Sequence, residues 1–196
     1  MSDLVYRNQS ELQKAVAQKL SHVQFSLITI DGKDGSGKSR LASSLAKTLS
    51  GIHIEVDQYW NENESGYIEH IRYGELVKDL ENSRWDYPIV IIEGICLLDI
   101  IARIGVKQYV SIYVKRVRPN GLWADGLLHF DPNRTADQLI ADRKDQRLEW
   151  ATLEDLGVNK DKLSHEGLDE EIIRYHYRRL PHETSDFVYE RYEMDV

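Results

Sequence analysis

Five stretches of the chain are almost continuously apolar: FSLITI at 25–30, IHIEV at 52–56, YPIVIIEG at 87–94, YVSIYV at 109–114 and SDFVYERY at 185–192. The first has no polar alternation, the pattern of a strand buried on both faces of a parallel sheet. Between these stretches the apolar period lengthens to three or four residues. Leu12, Val16 and Leu20 recur every fourth residue, and Ser10 with Gln13 has the spacing of a capping box. Leu41, Leu45 and Leu49 mark one face of a helix over 38–49. A further helix ends near Asn82, a short one covers 97–104, and helical patterns run with interruptions from Thr135 to Arg179. Strands alternating with helices predict an α/β fold with a five-stranded parallel sheet and helices on both faces. No repeat, low-complexity tract or linker divides the chain, so residues 1–196 read as one domain, with 1–22 as an N-terminal helical segment.

In such sheets ligands bind at the carboxyl ends of the strands. There, between the first strand and its helix, stands G-K-D-G-S-G-K-S, which matches the phosphate-binding pattern G-x-x-x-x-G-K-[ST]. Gly32, Lys33, Asp34, Gly35, Ser36 and Gly37 form a turn whose bare backbone can curl N–H groups around phosphate oxygens. The following helix, entered at Lys38, Ser39 and Arg40, points its unpaired N–H groups and positive dipole end at the same anion. Lys38 is placed to reach the β- and γ-phosphates of a nucleoside triphosphate, and the Ser39 hydroxyl to ligate Mg²⁺. A chance match in a chain this long has odds of roughly one in a hundred or less. ATP and Mg²⁺ are the expected ligands. Guanine specificity is disfavoured, because Asn159-Lys160-Asp161-Lys162 has lysine where a guanine-reading aspartate belongs.

Composition narrows the partners. The formal net charge is −8 and no run of Lys and Arg stands out, which argues against nucleic acid. The single Cys96 excludes an internal disulfide framework. Residues 1–20 hold charges throughout and no apolar run reaches membrane-spanning length, so a cytoplasmic protein without a membrane partner is expected.

Three further stretches carry a family resemblance. IHIEVDQYW is similar to the second strand and D-x-[FY]-[YW] segment of the uridine kinase-like group of small-molecule kinases. VIIEGICLLD resembles that group's third strand and E-G-I turn, and LPHETSDFVYER its entry to the last strand. The resemblance implies a nucleoside-kinase fold and transfer of the γ-phosphoryl group of ATP to a hydroxyl of a small acceptor. It places Asp57 as the carboxylate that takes the acceptor's proton and Glu93 at the Walker B-like position near Mg²⁺. Asp57 also suits a turn or helix cap, and Glu93 a strand-end carboxylate held by its turn. Tyr59 and Trp60 are candidates for the acceptor pocket wall, or for the core; Arg72 is a candidate acceptor contact, or part of a solvated helix face.

The same resemblance calls for arginines that close over the phosphates. Arg116 and Arg118 after the fourth strand, and Arg143 and Arg147 in ADRKDQRLEW, are the candidates, with 115–150 as the lid region. Two departures stand out. The segment before the third strand leaves no room for the hairpin that grips the pyrimidine in uridine kinases. The arginine helix of the family's lid is displaced by RPNGLWADGLLHFDPN, where Trp123, Leu127, Leu128 and Phe130 are too apolar for a solvated linker. That loop reads as a lid or as a patch for a partner or second subunit, and a homodimer stays open. His129 and Asp131 alone are too few for a metal site. A kinase for a nucleoside, a kinase for a vitamin, sugar or coenzyme precursor, and a non-catalytic ATP-binding switch are the three readings, in that order.

Overall fold

The structure, a computed structural model, describes residues 4–21, 26–61, 66–124, 130–154 and 166–192, with side chains throughout except at 146–154 and 166. Six strands are found among the described residues: β1 (Val5–Tyr6), β2 (Ser26–Asp31), β3 (Ile52–Glu55), β4 (Ile89–Gly94), β5 (Val110–Val117) and β6 (Phe187–Tyr192). They form one sheet in the order β1-β6-β5-β2-β4-β3, and every neighbouring pair is parallel. The helices are α1 (Gln9–Leu20), α2 (Lys38–Leu49), α3 (Tyr73–Asp86), α4 (Leu97–Arg103), α5 (Ala136–Glu154), α6 (Glu166–Arg179) and the single turn α7 (Pro181–Thr184).

The sheet has six strands where the sequence pattern predicts five. The extra strand, β1, lies at one edge and pairs Val5 with Val188 and Tyr6 with Tyr189. Two residues have no period to read. Its pairing rests on contacts to the far end of the chain: Tyr6 meets Phe187 edge-on at 5.8 Å between ring centres, and Arg7 pairs with Glu190 at 3.0 Å. The cap of α1 also differs from the expected capping box. The Asn8 side chain accepts from the N–H groups of Ser10 and Glu11, so Ser10 sits inside the helix. Gln13, the would-be box partner, instead donates to Ser44 of α2 at 2.8 Å. Helix α3 runs on to Asp86, past the expected end near Asn82.

Strand β2 is buried along its whole length, its polar Ser26, Thr29 and Asp31 included, as a strand covered on both faces must be. Its residues alternate between two cores. Ile28 and Ile30 pack with Leu12, Val16, Leu41 and Leu45 of α1 and α2 on one face. On the other face Leu27 shares a core with Leu76 and Leu80 of α3, Leu97 and Ile100 of α4, and Ile172 and Tyr175 of α6. Helices therefore cover both faces, and the connection order places β2 between strands that lead in opposite directions. That topological switch opens a crevice above its carboxyl end.

The apolar segment after β5 turns back on itself at once. Arg118 donates its backbone N–H to Leu122 at 2.8 Å, and Trp123 bridges Val117 in antiparallel fashion. Its described aromatic residues pack on their own chain: Trp123 lies 4.9 Å and Phe130 4.7 Å from the ring of His182 in α7. Leu127, Leu128 and His129 lie outside the described residues, as does the 159–162 segment.

His182 is enclosed by Trp123, Phe130, Tyr113 and His176, with Lys115 close by. Burial, then His176, then Lys115 push its pKa down to about 4. The unfolded chain takes up this proton near pH 6.5 and the folded chain does not. The neutral ring's contribution is therefore complete above about pH 6.5 and is lost as the pH falls toward about 4, by about 3 kcal/mol at most. Thermal melts across that range should show His182→Phe losing less stability on acidification than the parent chain. Parallel losses would show that His182 does not carry the effect.

Candidate active site

The crevice is floored by the 32–37 turn, which runs from β2 into α2. One of its glycines is required by space and another by its backbone conformation. A Cβ at Gly32 would stand 2.6 Å from the carbonyl oxygen of Val114 and 2.9 Å from Ser36 Oγ, with φ at +152°. A Cβ at Gly37, where φ is +101°, would stand 3.0 Å from Arg191 Cδ. The turn closes with the Ser36 N–H donating to the Lys33 carbonyl at 3.0 Å. Ser36 Oγ is buried with no hydrogen-bond partner, a polar atom facing a cradle that side chains cannot fill.

Lys38 opens α2, is buried, and donates from Nζ to the Lys33 carbonyl at 3.2 Å, with Asp34 at 3.7 Å. Its ammonium therefore folds back over the turn. Next to it, Ser39 Oγ donates to Glu93 Oε1 at 2.6 Å, joining the start of α2 to the end of β4. Glu93 is buried, which pulls its pKa up, but His53, the Ser39 hydroxyl and Lys38 outweigh burial, and the carboxyl sits below its usual range. Ser39 and Glu93 are the oxygen pair that the chemistry of a hard cation beside phosphate asks for.

Asp57 lies in a tight helical turn, Val56–Tyr59, at the end of β3. Its Oδ1 accepts from the Tyr67 hydroxyl at 2.5 Å, and Lys38, Asp34 and Glu93 are near enough to act on its charge. Burial raises its pKa, with Tyr67 and Lys38 opposing. Tyr67 is itself fixed from α6: Glu171 accepts from the N–H groups of Tyr67 and Ile68 at 2.7 and 3.1 Å. Asp31, the last residue of β2, is also buried and is held by the Gly32 N–H at 2.6 Å and the Tyr175 hydroxyl; burial raises it to about 6.

The other candidates separate. Arg116 reaches the loop, since a Cβ at Gly35 would come 3.9 Å from its Nη1. Its register partner across β5 and β6 is Arg191, whose Nη2 donates to the Gly35 carbonyl at 3.0 Å. Two arginines in register on β5 and β6 thus lean on the 32–37 turn. Arg118 lies in the exposed turn after β5. Arg143 is half-buried on α5, and the side chain of Arg147 lies outside the described ones. Arg72 turns inward to brace the Asp57 segment, donating to the Gln58 and Trp60 carbonyls at 2.7 and 3.4 Å. Tyr59 is buried and donates to Asp79 at 2.7 Å, and Trp60 donates to the Gly66 carbonyl at 2.9 Å. Arg40 is exposed on the first turn of α2.

Sequence reading did not find Tyr67, Arg191 or Asp31. For Arg191 a signal existed: a lone cation in SDFVYERY at a strand end, meaningful once the register beside Arg116 is known. A cavity of about 600 Å³ lies elsewhere, lined by Leu27, Leu80, Arg84 and Ile104 near the start of β2, at the opposite end of the sheet from the loop.

Gly32→Ala should lower the melting temperature by several degrees, since overpacking against a carbonyl costs about 1–3 kcal/mol. Gly74→Ala in α3, where a Cβ meets nothing within 4 Å, should raise stability by up to about 1 kcal/mol. Equal effects of the two substitutions would contradict the close approach at Gly32.

Comparison with protein-family models and with curated proteins finds no match. Among solved structures the chain is similar to a "putative fructose transport system kinase" from Silicibacter sp. TM1040, at 18% identity and a TM-score of 0.52 over 93% of this chain and 99% of the other. A "possible uridine kinase" from Bacillus stearothermophilus aligns at 13% identity and a TM-score of 0.47, over 92% of this chain and 98% of the other. At 18% identity the likeness to the first is one of fold alone, which in this chain is six parallel strands with helices on both faces and a glycine-rich turn between β2 and α2.

Proposed function

We propose that the chain is an ATP-dependent kinase, a single domain over 1–196, that moves the γ-phosphoryl group of ATP to a hydroxyl of a small acceptor. One observation carries the reading: Lys38, the Ser39–Glu93 pair and Asp57 converge on the same crevice, with Asp57 within electrostatic reach of Lys38 and Glu93. A loop that bound nucleotide without turnover would have no use for a carboxylate held there with one oxygen uncommitted.

Backbone N–H groups of the turn and of the first turn of α2 bind the phosphate chain. Lys38 exchanges its contacts with Lys33 and Asp34 for the β- and γ-phosphates. Ser39 and Glu93 would hold Mg²⁺, which when bound neutralises charge on the phosphates. The acceptor oxygen attacks the γ-phosphorus, the bond to the β–γ bridging oxygen breaks, and the acceptor proton passes to Asp57 Oδ2. Tyr67 on Oδ1 fixes the direction of that carboxylate. Arg116 and Arg191 brace the loop from the sheet side. The uridine kinase-like sequence segments, and the neighbour named for fructose transport, support a polyhydroxylated acceptor such as a nucleoside or a sugar.

The test is ADP release from MgATP with and without uridine, cytidine, adenosine, nicotinamide riboside, pantothenate and simple sugars. One acceptor should stimulate release strongly, and Lys38→Ala should abolish it. Asp57→Asn should lower kcat by roughly 10²–10⁴ while ATP affinity holds; normal turnover in that variant would sink the assignment. The acid limb of kcat/KM should lie above the ordinary carboxylate range, because activity needs Asp57 ionised and its pKa is raised. Tyr67→Phe removes a donor that favours the ionised form, so the limb should move to still higher pH; an unmoved limb would assign it to another group.

A further inference from the structure

Strand β3 presents two polar residues on one face at its edge of the sheet. Register sets Glu55 opposite Glu93, and His53 lies two residues earlier on the same side. His53 Nε2 stands 3.7 Å from Glu93 Oε1 and 4.0 Å from Glu55 Oε1, and the three donor atoms all lie within 4.8 Å of one another. A tetrahedral ion bound at about 2.1 Å keeps neighbouring ligand atoms about 3.4 Å apart, so a closure of about 1 Å brings this set to coordination distance.

The imidazole is oriented for that role. Nδ1 faces Ser43 Oγ of α2 at 3.3 Å, while Nε2 is buried, makes no hydrogen bond and points at the two carboxylates. Metal-bound histidines have this arrangement, one ring nitrogen held by a neighbour and the other left for the ion. A protonated histidine paired with Glu93 alone would leave Glu55 unused and would gain by closing the 3.7 Å gap to a hydrogen bond. Glu55 is the half-exposed member, at 42% side-chain exposure against 13% and 5% for His53 and Glu93, which leaves a path for an ion to enter.

We infer that His53, Glu55 and Glu93 form a binding site for a divalent transition-metal ion, Zn²⁺ or one of similar chemistry, beside the phosphate loop. One nitrogen and two carboxylates suit zinc, cobalt and manganese, whereas Mg²⁺ prefers six oxygens in a regular octahedron. Glu93 Oε1 also accepts the Ser39 hydroxyl at 2.6 Å, so an ion here draws on an oxygen that faces the loop. The site rests on its ligand geometry and would stand in a chain that transferred no phosphate.

The test uses the full chain without a histidine tag, stripped by chelator and titrated with Co²⁺ by visible absorption. One equivalent should bind, be displaced by Zn²⁺ and resist millimolar Mg²⁺. His53→Ala and the isosteric Glu55→Gln should each weaken binding at least about tenfold with an unchanged circular dichroism spectrum. Either the absence of Co²⁺ and Zn²⁺ uptake by the parent chain, or equal affinity in both variants, would overturn the site. Because Glu55→Gln preserves shape at a partly exposed position, a folding failure of His53→Ala would leave the test intact.

Discussion

Three ionisable side chains, Asp31, Lys38 and Glu93, are buried within one turn of the chain from the ends of β2 and β4, and the upper edge of the sheet is organised around keeping them satisfied. A buried charge is costly unless it is paired or hydrogen-bonded. Each here has partners supplied by a different element. Asp31 is held by Gly32 and by Tyr175 from α6, Glu93 by Ser39 from α2, and Lys38 by the backbone of its own turn and Asp34. Satisfying these groups fixes β2, β4, α2 and α6 relative to one another. Lys38 is the member whose present partners, a carbonyl and an exposed carboxylate, are easily exchanged for an incoming anion.

The same edge is held from outside the loop by long-range contacts. Glu171 of α6 fixes Tyr67, and Tyr67 fixes Asp57, so the proposed base takes its position from a helix more than a hundred residues away. Arg72 braces the carbonyls on either side of Tyr59. Arg191 holds the Gly35 carbonyl from the last strand. Rigid support of this kind is what in-line transfer asks of a site, since a reacting oxygen misplaced by 1 Å loses about a hundredfold in rate.

The parts legible in the sequence were those whose cause is local. The glycine-rich turn could be read because Gly32, Gly35 and Gly37 all take positive φ within one short segment, and β2 because burial on both faces leaves a run without polar alternation. The ends of elements were less legible. Asn8 outcompeted Ser10 as a cap, and β1 is too short to show a period. Residues that meet across the fold were not legible at all: nothing near Tyr67 announces Glu171, and Arg191 gains meaning only from its register beside Arg116. His53 and Glu55 passed unread in IHIEV, because their significance depends on β3 lying beside Glu93.

The central claim is that this crevice moves a phosphoryl group rather than only holding nucleotide. Phosphorus NMR on MgATP, with the protein and a mixture of hydroxyl acceptors, tests it most directly because it follows the γ-phosphorus itself. The account predicts loss of the γ-signal and growth of a phosphate monoester resonance in step with ADP. Binding of ATP with an unchanged γ-signal, or release of inorganic phosphate alone, would contradict it.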